Sequence, residues 1–300
     1  EIKIRYFKLT HQGISAARNY GLNHASGNII AYLDSDNHWD LGYLNTILLS
    51  FDTENQHKCA YCNVRITNLD TNKYYILDYD FDRKKLLKSS FIELNGFIHE
   101  KQLYDERGGF DEELTRLVDW DLIIRYTENN NPLHINEQLV DCFLSSELGN
   151  IAITEPLKEN LDKIHYKNWK EIYSEEYEAI NDYFNEEYYL FNYGNELNGN
   201  INPAYHFLTV GHKENKNPNS KFVTSYYKNK YPEVVRYNLN PLVHYAKWGK
   251  KEGREINYFK KQNAIINSNL MFLSNFEFDY EPLVSIIILN RNGSKHLKNL

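Results

Sequence analysis

Five apolar residues in a row, Ile29–Leu33, lead without a break into Asp34-Ser35-Asp36. The run is the length of a strand, and an uninterrupted apolar run reads as a strand buried in a sheet. Its neighbours fix the class. Ser15–Ala25 has a helix-like pattern closed by Ser26-Gly27, and a second helix is predicted from about Leu41 to Phe51. Further strands are predicted at Ile2–Leu9, Cys59–Thr67, Tyr74–Leu77 and Leu139–Leu144. A turn at Gly108-Gly109-Phe110-Asp111 precedes a helix from near Asp119 to about Thr127. Strands alternating with helices predict an open α/β sheet over residues 1–150.

A second pattern constrains the later chain. Phe184 returns as Phe222, 38 residues on, and Tyr188-Tyr189 as Tyr226-Tyr227. Asn202-Pro203 returns as Asn240-Pro241, His206 as His244, Gly211 as Gly249 and Lys213-Glu214 as Lys251-Glu252. A fixed period means one supersecondary unit used twice. Pro after Asn suits a helix start, and Gly followed closely by Lys suits a helix end. Residues 184–258 are therefore expected to be two all-α repeats, each a pair of short helices around an aromatic core. The recurring histidines are expected to be buried and structural. A charged helical connector fills 151–183, and an Asn-rich linker is placed at 259–281. Leu283–Leu289, followed by the turn Asn290-Arg291-Asn292-Gly293, reads as the first βα unit of another α/β domain at 282–300.

Composition excludes several classes. The net charge is −7, so no global basic field draws nucleic acid or anionic lipid. No apolar run approaches the roughly 20 residues needed to span a bilayer. Three cysteines make no disulfide framework. Cys59 and Cys62 form a CxxC without a second pair, and strand alternation sends the two thiols to opposite faces. Both are expected to be reduced, in a cytoplasmic protein. The 25 Tyr and 15 Phe suit amphipathic surfaces, including ones that stack on sugars, although biased genome composition is the favoured account of them. Glu1 at the start, a single Met at 271 and an end in mid-helix pattern suggest a piece of a longer protein.

Two carboxylates one residue apart, outside the carboxyl end of a strand, are placed where ligands bind open α/β sheets. They supply hard oxygen ligands suited to Mg²⁺ or Mn²⁺, which also bind phosphate oxygens. Acidic turn residues are common, so Asp34 and Asp36 acquire this meaning only from context. The context is Gly13-Ile14-Ser15-Ala16-Ala17-Arg18-Asn19-Tyr20-Gly21, then Ala25-Ser26-Gly27, then Ile29–Asp36 and Trp39. Gly109-Phe110-Asp111-Glu112 follows, and then Asp119-Trp120-Asp121-Leu122. In this order, roughly over residues 5 to 145, the chain resembles the family 2 glycosyltransferases of GT-A fold.

The resemblance implies a mixed α/β sheet of Rossmann-like GT-A type and an inverting, metal-dependent transfer of sugar from a nucleotide-diphosphate donor. The acceptor would be a glycan or lipid-linked molecule, as in surface polysaccharide synthesis. It implies that Asp36 coordinates Mg²⁺ or Mn²⁺ and that Asp34 contacts the metal or the ribose. Asp119 takes the place of the general base, Arg18 approaches the nucleotide side, and Trp120 either lines the acceptor site or belongs to the core. Val118 stands where many members carry Glu. The family's nucleotide-binding first strand and base-contacting Asp fall ahead of Glu1. The transferase domain is thus expected to be truncated at its N-terminus, and these 300 residues alone to bind donor poorly and to be inactive. The full-length protein is expected at the inner face of the membrane, peripherally associated. Two rivals stand beside this reading: a metal-dependent nucleotidyltransferase, which would need a phosphate-gripping Gly-rich loop, and a non-catalytic module binding a glycan or a partner through the repeat.

Overall fold

The computed structural model describes residues 4–54, 57–145, 156–197 and 201–257. The linker and βα unit expected at 259–300 lie outside the described residues. The chain divides into two compact units, one ending at Glu178 and the other beginning at Ala179.

The first unit is built on a six-stranded mixed sheet. Its strands are β1 (Ile29–Ala31), β2 (His38–Trp39), β3 (Cys59–Asn68), β4 (Lys73–Leu77), β5 (Phe97–Glu100) and β6 (Leu133–Leu144). They lie in the order β1-β5-β3-β6-β2, with β4 paired to the outer half of β3. Only the β3–β6 pairing is parallel, with Ala60 opposite Leu133 and Val64 opposite Val140. The helices are α1 (Ile14–His24), α2 (Tyr43–Glu54), α3 (Arg83–Leu86), α4 (Lys101–Arg107), α5 (Val118–Tyr126) and α6 (Leu157–Lys167).

Strand alternation along β3 splits the interior into two cores. Cys59 and Tyr61 join Leu22, Phe97, Trp120, Ile123 and Ile164 on one face. Ala60, Cys62, Val64 and Ile66 join Tyr43, Ile47 and Val140 on the other, under α2. The two cysteines thus point to opposite faces, both free. Burial pushes each thiol up to about 12, which leaves them protonated and inert.

Two expectations are corrected. Residues 4–10 form no strand: Ile4 is 87% exposed and Tyr6 84%. Alternation stabilises a strand only where one face is buried. This segment instead lies along the end of α1, where Arg5 donates to the His24 carbonyl at 2.6 Å and the Phe7 ring meets Tyr20 edge-on. The apolar run 29–33 is also less buried than expected, with Ile30 at 8% exposure and Leu33 at 49%. The cause is position, since β1 ends the sheet and pairs only with β5. The first helix of the expected connector, α6, packs on the first unit: Ile164 is fully buried in its core and Asn160 accepts from the Thr115 N–H.

In the second unit several residues matched at the 38-residue spacing take the same local geometry. Asn202 and Asn240 cap the helices Pro203–His206 and Pro241–His244, each side chain accepting from two backbone N–H groups with Pro at the first turn. Each helix widens into a π-type turn, Phe207–Gly211 and Tyr245–Gly249. The Tyr189 hydroxyl bonds His206 Nδ1 at 2.8 Å, and Tyr227 bonds His244 Nδ1 at 2.9 Å. A Cβ on Gly211 or Gly249 would collide with the same tyrosine hydroxyl. The glycine recurs because tyrosine, histidine and backbone meet there. Each repeat closes on itself: Asn185 N–H donates to Pro218 O at 3.0 Å, and Val223 N–H to Ile256 O at 2.8 Å.

Candidate active site

The two segments that carry the resemblance are bonded to each other. Gly13, at φ +93° where L side chains are strained, opens α1. Near the middle of that helix, Asn19 accepts from the Phe110 N–H at 2.7 Å and donates to the Phe110 carbonyl at 2.8 Å and to Glu112 at 2.9 Å. A Cβ on Gly109 would strike the Asn19 amide, so glycine is needed for this approach. From the far side, Arg125 of α5 donates to the Gly109 carbonyl at 2.7 Å. Its guanidinium pairs with Asp121, which is fully buried and also accepts from Lys167 at 3.0 Å. Asp121 is thus a structural acid that ties α5 to the 108–112 turn and to α6.

This scaffold brings Arg18, Asp34, Glu93 and Asp119 together. Arg18 lies with its guanidinium 5.3 Å from the Phe110 ring centroid and donates through Nη2 to both Asp34 oxygens, at 2.9 and 3.1 Å. Asp34 also receives Asn95 Nδ2 at 3.2 Å, and its own N–H donates to Asn95 Oδ1 at 2.7 Å. Asp119 is the second residue of α5, beyond a helix entry at Leu117 with φ +62°. The N-cap is Leu117, so Asp119 stands inside the first turn. A left-handed leucine costs roughly 1–2 kcal/mol, and it sits two residues before the candidate base. Burial raises the Asp119 pKa above the ordinary carboxylate value; backbone hydrogen bonds from Trp120 and Asp119 itself, and the Arg18 charge, oppose the rise, while the Asp34 charge adds to it. A carboxylate of raised proton affinity, beside a cation and an acid, suits proton abstraction.

Glu93 is a site acid that no sequence motif announced. Burial, then the charges of Asp119 and Asp34, push its pKa up to about 7, while its bonds to Asn95 pull the other way. It belongs to an irregular loop leading into a short 3-10 turn, Leu94–Gly96. Nothing in its spacing marks it; only the two motifs folding over the same strand end reveals it.

The other sequence candidates fall as follows. Asp36 is exposed on the loop after β1, and no described residue hydrogen-bonds its carboxylate. Trp120 is 2% exposed and its indole N–H donates to the Leu86 carbonyl at 2.7 Å, so the ring occupies the core role. A hollow of about 440 Å³ lies between α1 and β1, with Arg18 and Asp34 in its wall beside Leu22, Ile30 and Tyr32.

The donor set can be tested for a divalent metal. Among the described residues no group of three or more His, Cys, Asp or Glu side chains is arranged to hold a metal ion. Mg²⁺ is commonly held by one or two carboxylates plus substrate phosphates. Asp36 fits that mode, with open oxygens facing solvent. Asp34 fits it less freely, since both of its oxygens already accept hydrogen bonds from Arg18 and Oδ2 accepts a further one from Asn95.

Residues 1–107 match the family model described as Glycosyl transferase family 2. That span holds Arg18, Asp34, Asp36 and Glu93 and ends before Asp119. No curated protein matches the chain. Among solved structures, the chain is similar to S. aureus TarS at 16% identity and a TM-score of 0.38, covering 79% of this chain and 40% of that one. S. aureus TarS 1-349 in complex with UDP-GlcNAc is similar at 11% identity and TM-score 0.44, over 84% of this chain and 76% of that one. A further structure of S. aureus TarS 1-349 gives 15% identity and TM-score 0.37, over 78% and 66%. The chain spans 40% of the length of the first of these.

Proposed function

We propose that these residues supply the acid-bearing part of an inverting glycosyltransferase that moves a sugar from a nucleotide-diphosphate donor to a glycan or lipid-linked acceptor. The observation that carries this reading is the convergence of Asp34, Arg18 and Asp119, from three separate segments, at the carboxyl end of one strand. The family match over residues 1–107 supports it.

In this reading Asp119 accepts the acceptor hydroxyl proton as that oxygen attacks the anomeric carbon from the face opposite the leaving group. The carbon–oxygen bond to the donor's β-phosphate breaks, and configuration inverts. Arg18 holds Asp34 in place and keeps a positive charge near the departing pyrophosphate oxygens. Asp36, with Asp34 behind it, would hold Mg²⁺ or Mn²⁺, which when bound neutralises charge on the leaving pyrophosphate. Work at the inner face of the membrane on a surface polysaccharide belongs to the same proposal. No helix among the described residues is long and apolar enough to cross a membrane.

The reading is tested in the full-length natural protein with Asp36→Ala and Asp119→Asn combined. Loss of transfer is the expected result. Undiminished function would favour a non-catalytic module.

A further inference from the structure

We infer that Asn95 is a positioning residue that clamps both ends of the 34–39 loop and thereby sets where Asp36 stands. The inference goes beyond the roles of Asp34, Asp36 and Asp119, and its functional part rests on the transferase reading.

Asn95 is fully buried, and all four of its polar groups are engaged. Its side-chain oxygen accepts from the Asp34 N–H at 2.7 Å. Its side-chain nitrogen donates to Asp34 Oδ2 at 3.2 Å and to Glu93 at 3.1 Å. Its backbone N–H donates to Glu93 Oε2, and its carbonyl accepts from the Trp39 indole N–H at 2.8 Å. A rotated amide would turn its oxygen toward two carboxyl groups, so the orientation is fixed by chemistry. Asp34 and Trp39 begin and end the segment that carries Asp36. One residue therefore holds the loop at its entry through Asp34 and at its exit through Trp39.

Beyond Asn95, the exit of the segment is also fixed by the pairing of His38 and Trp39 with β6 and by the Trp39–Tyr43 ring stacking, whereas residues 35–37 have few contacts. Asn37 N–H donates to the Asp34 carbonyl at 3.1 Å, and Asn37 Oδ1 accepts from the Phe143 N–H at 3.2 Å. Neither constrains the Asp36 side chain, which has no protein partner among the described residues. Its position is inherited from the backbone, which Asn95 holds at the entry beside the Arg18–Asp34 pair and, at the exit, together with the β2–β6 pairing of His38 and Trp39. Gly96 lets this clamp sit low over the sheet, since a Cβ there would come 2.7 Å from Val64 Cγ2. A metal-binding carboxylate misplaced by about 1 Å costs on the order of 10²-fold in rate, so such a clamp has functional leverage.

The substitutions separate its parts. Asn95→Ala removes the side-chain bonds. Asn95→Asp keeps an acceptor for the Asp34 N–H and loses the donor. Trp39→Phe removes only the exit bond and perturbs Asn95 least. Hydrogen exchange is followed at single amides in the 300-residue chain. Exchange at Asp34 is expected to speed up at least tenfold in Asn95→Ala and also to rise in Asn95→Asp, whose second carboxylate oxygen faces Asp34 and Glu93, with Trp39→Phe affecting residues 37–39. The clamp is refuted if Asp34 exchange is unchanged in Asn95→Ala, or if α5 and β5 loosen equally. In the full-length protein, Asn95→Ala is expected to raise the donor KM at least tenfold with a smaller change in kcat. An unchanged KM beside faster exchange would make Asn95 structural only. A full-length wild-type protein that transfers no sugar would sink the transferase reading while leaving the exchange result standing.

Discussion

Glu93 and His99 are buried groups whose ionisation the fold opposes, with opposite effects on the pH dependence of stability. Glu93 has its pKa raised from 4.5 to about 7, chiefly by burial. Between those values the folded chain holds the extra proton, so this residue makes stability fall as pH rises. His99 has its pKa lowered from 6.5 to about 4, again by burial. Its Nδ1–H donates to the Glu100 carbonyl at 2.8 Å, so Nε2 is left to accept from the Tyr32 hydroxyl at 2.8 Å. Here the unfolded chain holds the extra proton, and stability falls as pH drops from 6.5 towards 4. The two windows overlap, and wild-type melting temperature is expected to be nearly flat from pH 5 to 6.5 on their account. Glu93→Gln removes the first effect only. Its melting temperature, relative to wild type, is expected to climb from pH 5 to 7 and then level off. A constant offset across that range would show that Glu93 titrates normally. The same scale carries the catalytic test of Asp119: Asp119→Asn keeps the size and helix position and is expected to lower transfer about 10²–10⁴-fold with folding intact.

At the scale of elements, close approaches decide more than propensities. Asn19 reaches the 109–112 turn only because Gly109 has no side chain, and Tyr189 and Tyr227 reach their histidines under Gly211 and Gly249. Gly109→Ala, Gly211→Ala and Gly249→Ala are each expected to cost about 1–3 kcal/mol, as overpacking does. Chemical denaturation measures this, and a loss below about 0.5 kcal/mol at all three would show that the neighbours simply move. Tyr227→Phe is expected to cost less than Gly249→Ala, since it leaves His244 Nδ1 without its partner but displaces nothing. The tyrosine, histidine and glycine that recur at the 38-residue spacing stand in matching contacts, because a tight contact of the three must recur as a set. The helices α1, α2 and α5 were legible to within a few residues from their apolar period and end signals. The strand β5 and the acid Glu93 were not, because four residues of strand and an irregular loop carry no period. Residues 4–10 misled because alternation records a capacity for pairing and cannot say whether a partner edge is there.

At the scale of the whole chain, the first unit is a sheet whose acid-bearing loop is supported by three segments distant in sequence. Asn19 joins α1 to the 109–112 turn, Arg125 joins that turn to α5, and Arg18 returns to Asp34. This network explains why two motifs some 90 residues apart are informative together while a bare acid pair is not. The α/β class was readable from alternation, and the motifs nominate Asp34, Asp36 and Asp119 as candidates. Their mutual arrangement, and the part of Asn95 within it, required the structure. The central claim is that this arrangement transfers sugar from a nucleotide-diphosphate donor. Its most direct test is to identify the nucleotide released when the full-length protein is incubated with nucleotide sugars and Mn²⁺, beside its Asp119→Asn variant. Free nucleoside diphosphate, lost in the variant, is the expected result; release of pyrophosphate, or equal release from the variant, would contradict it.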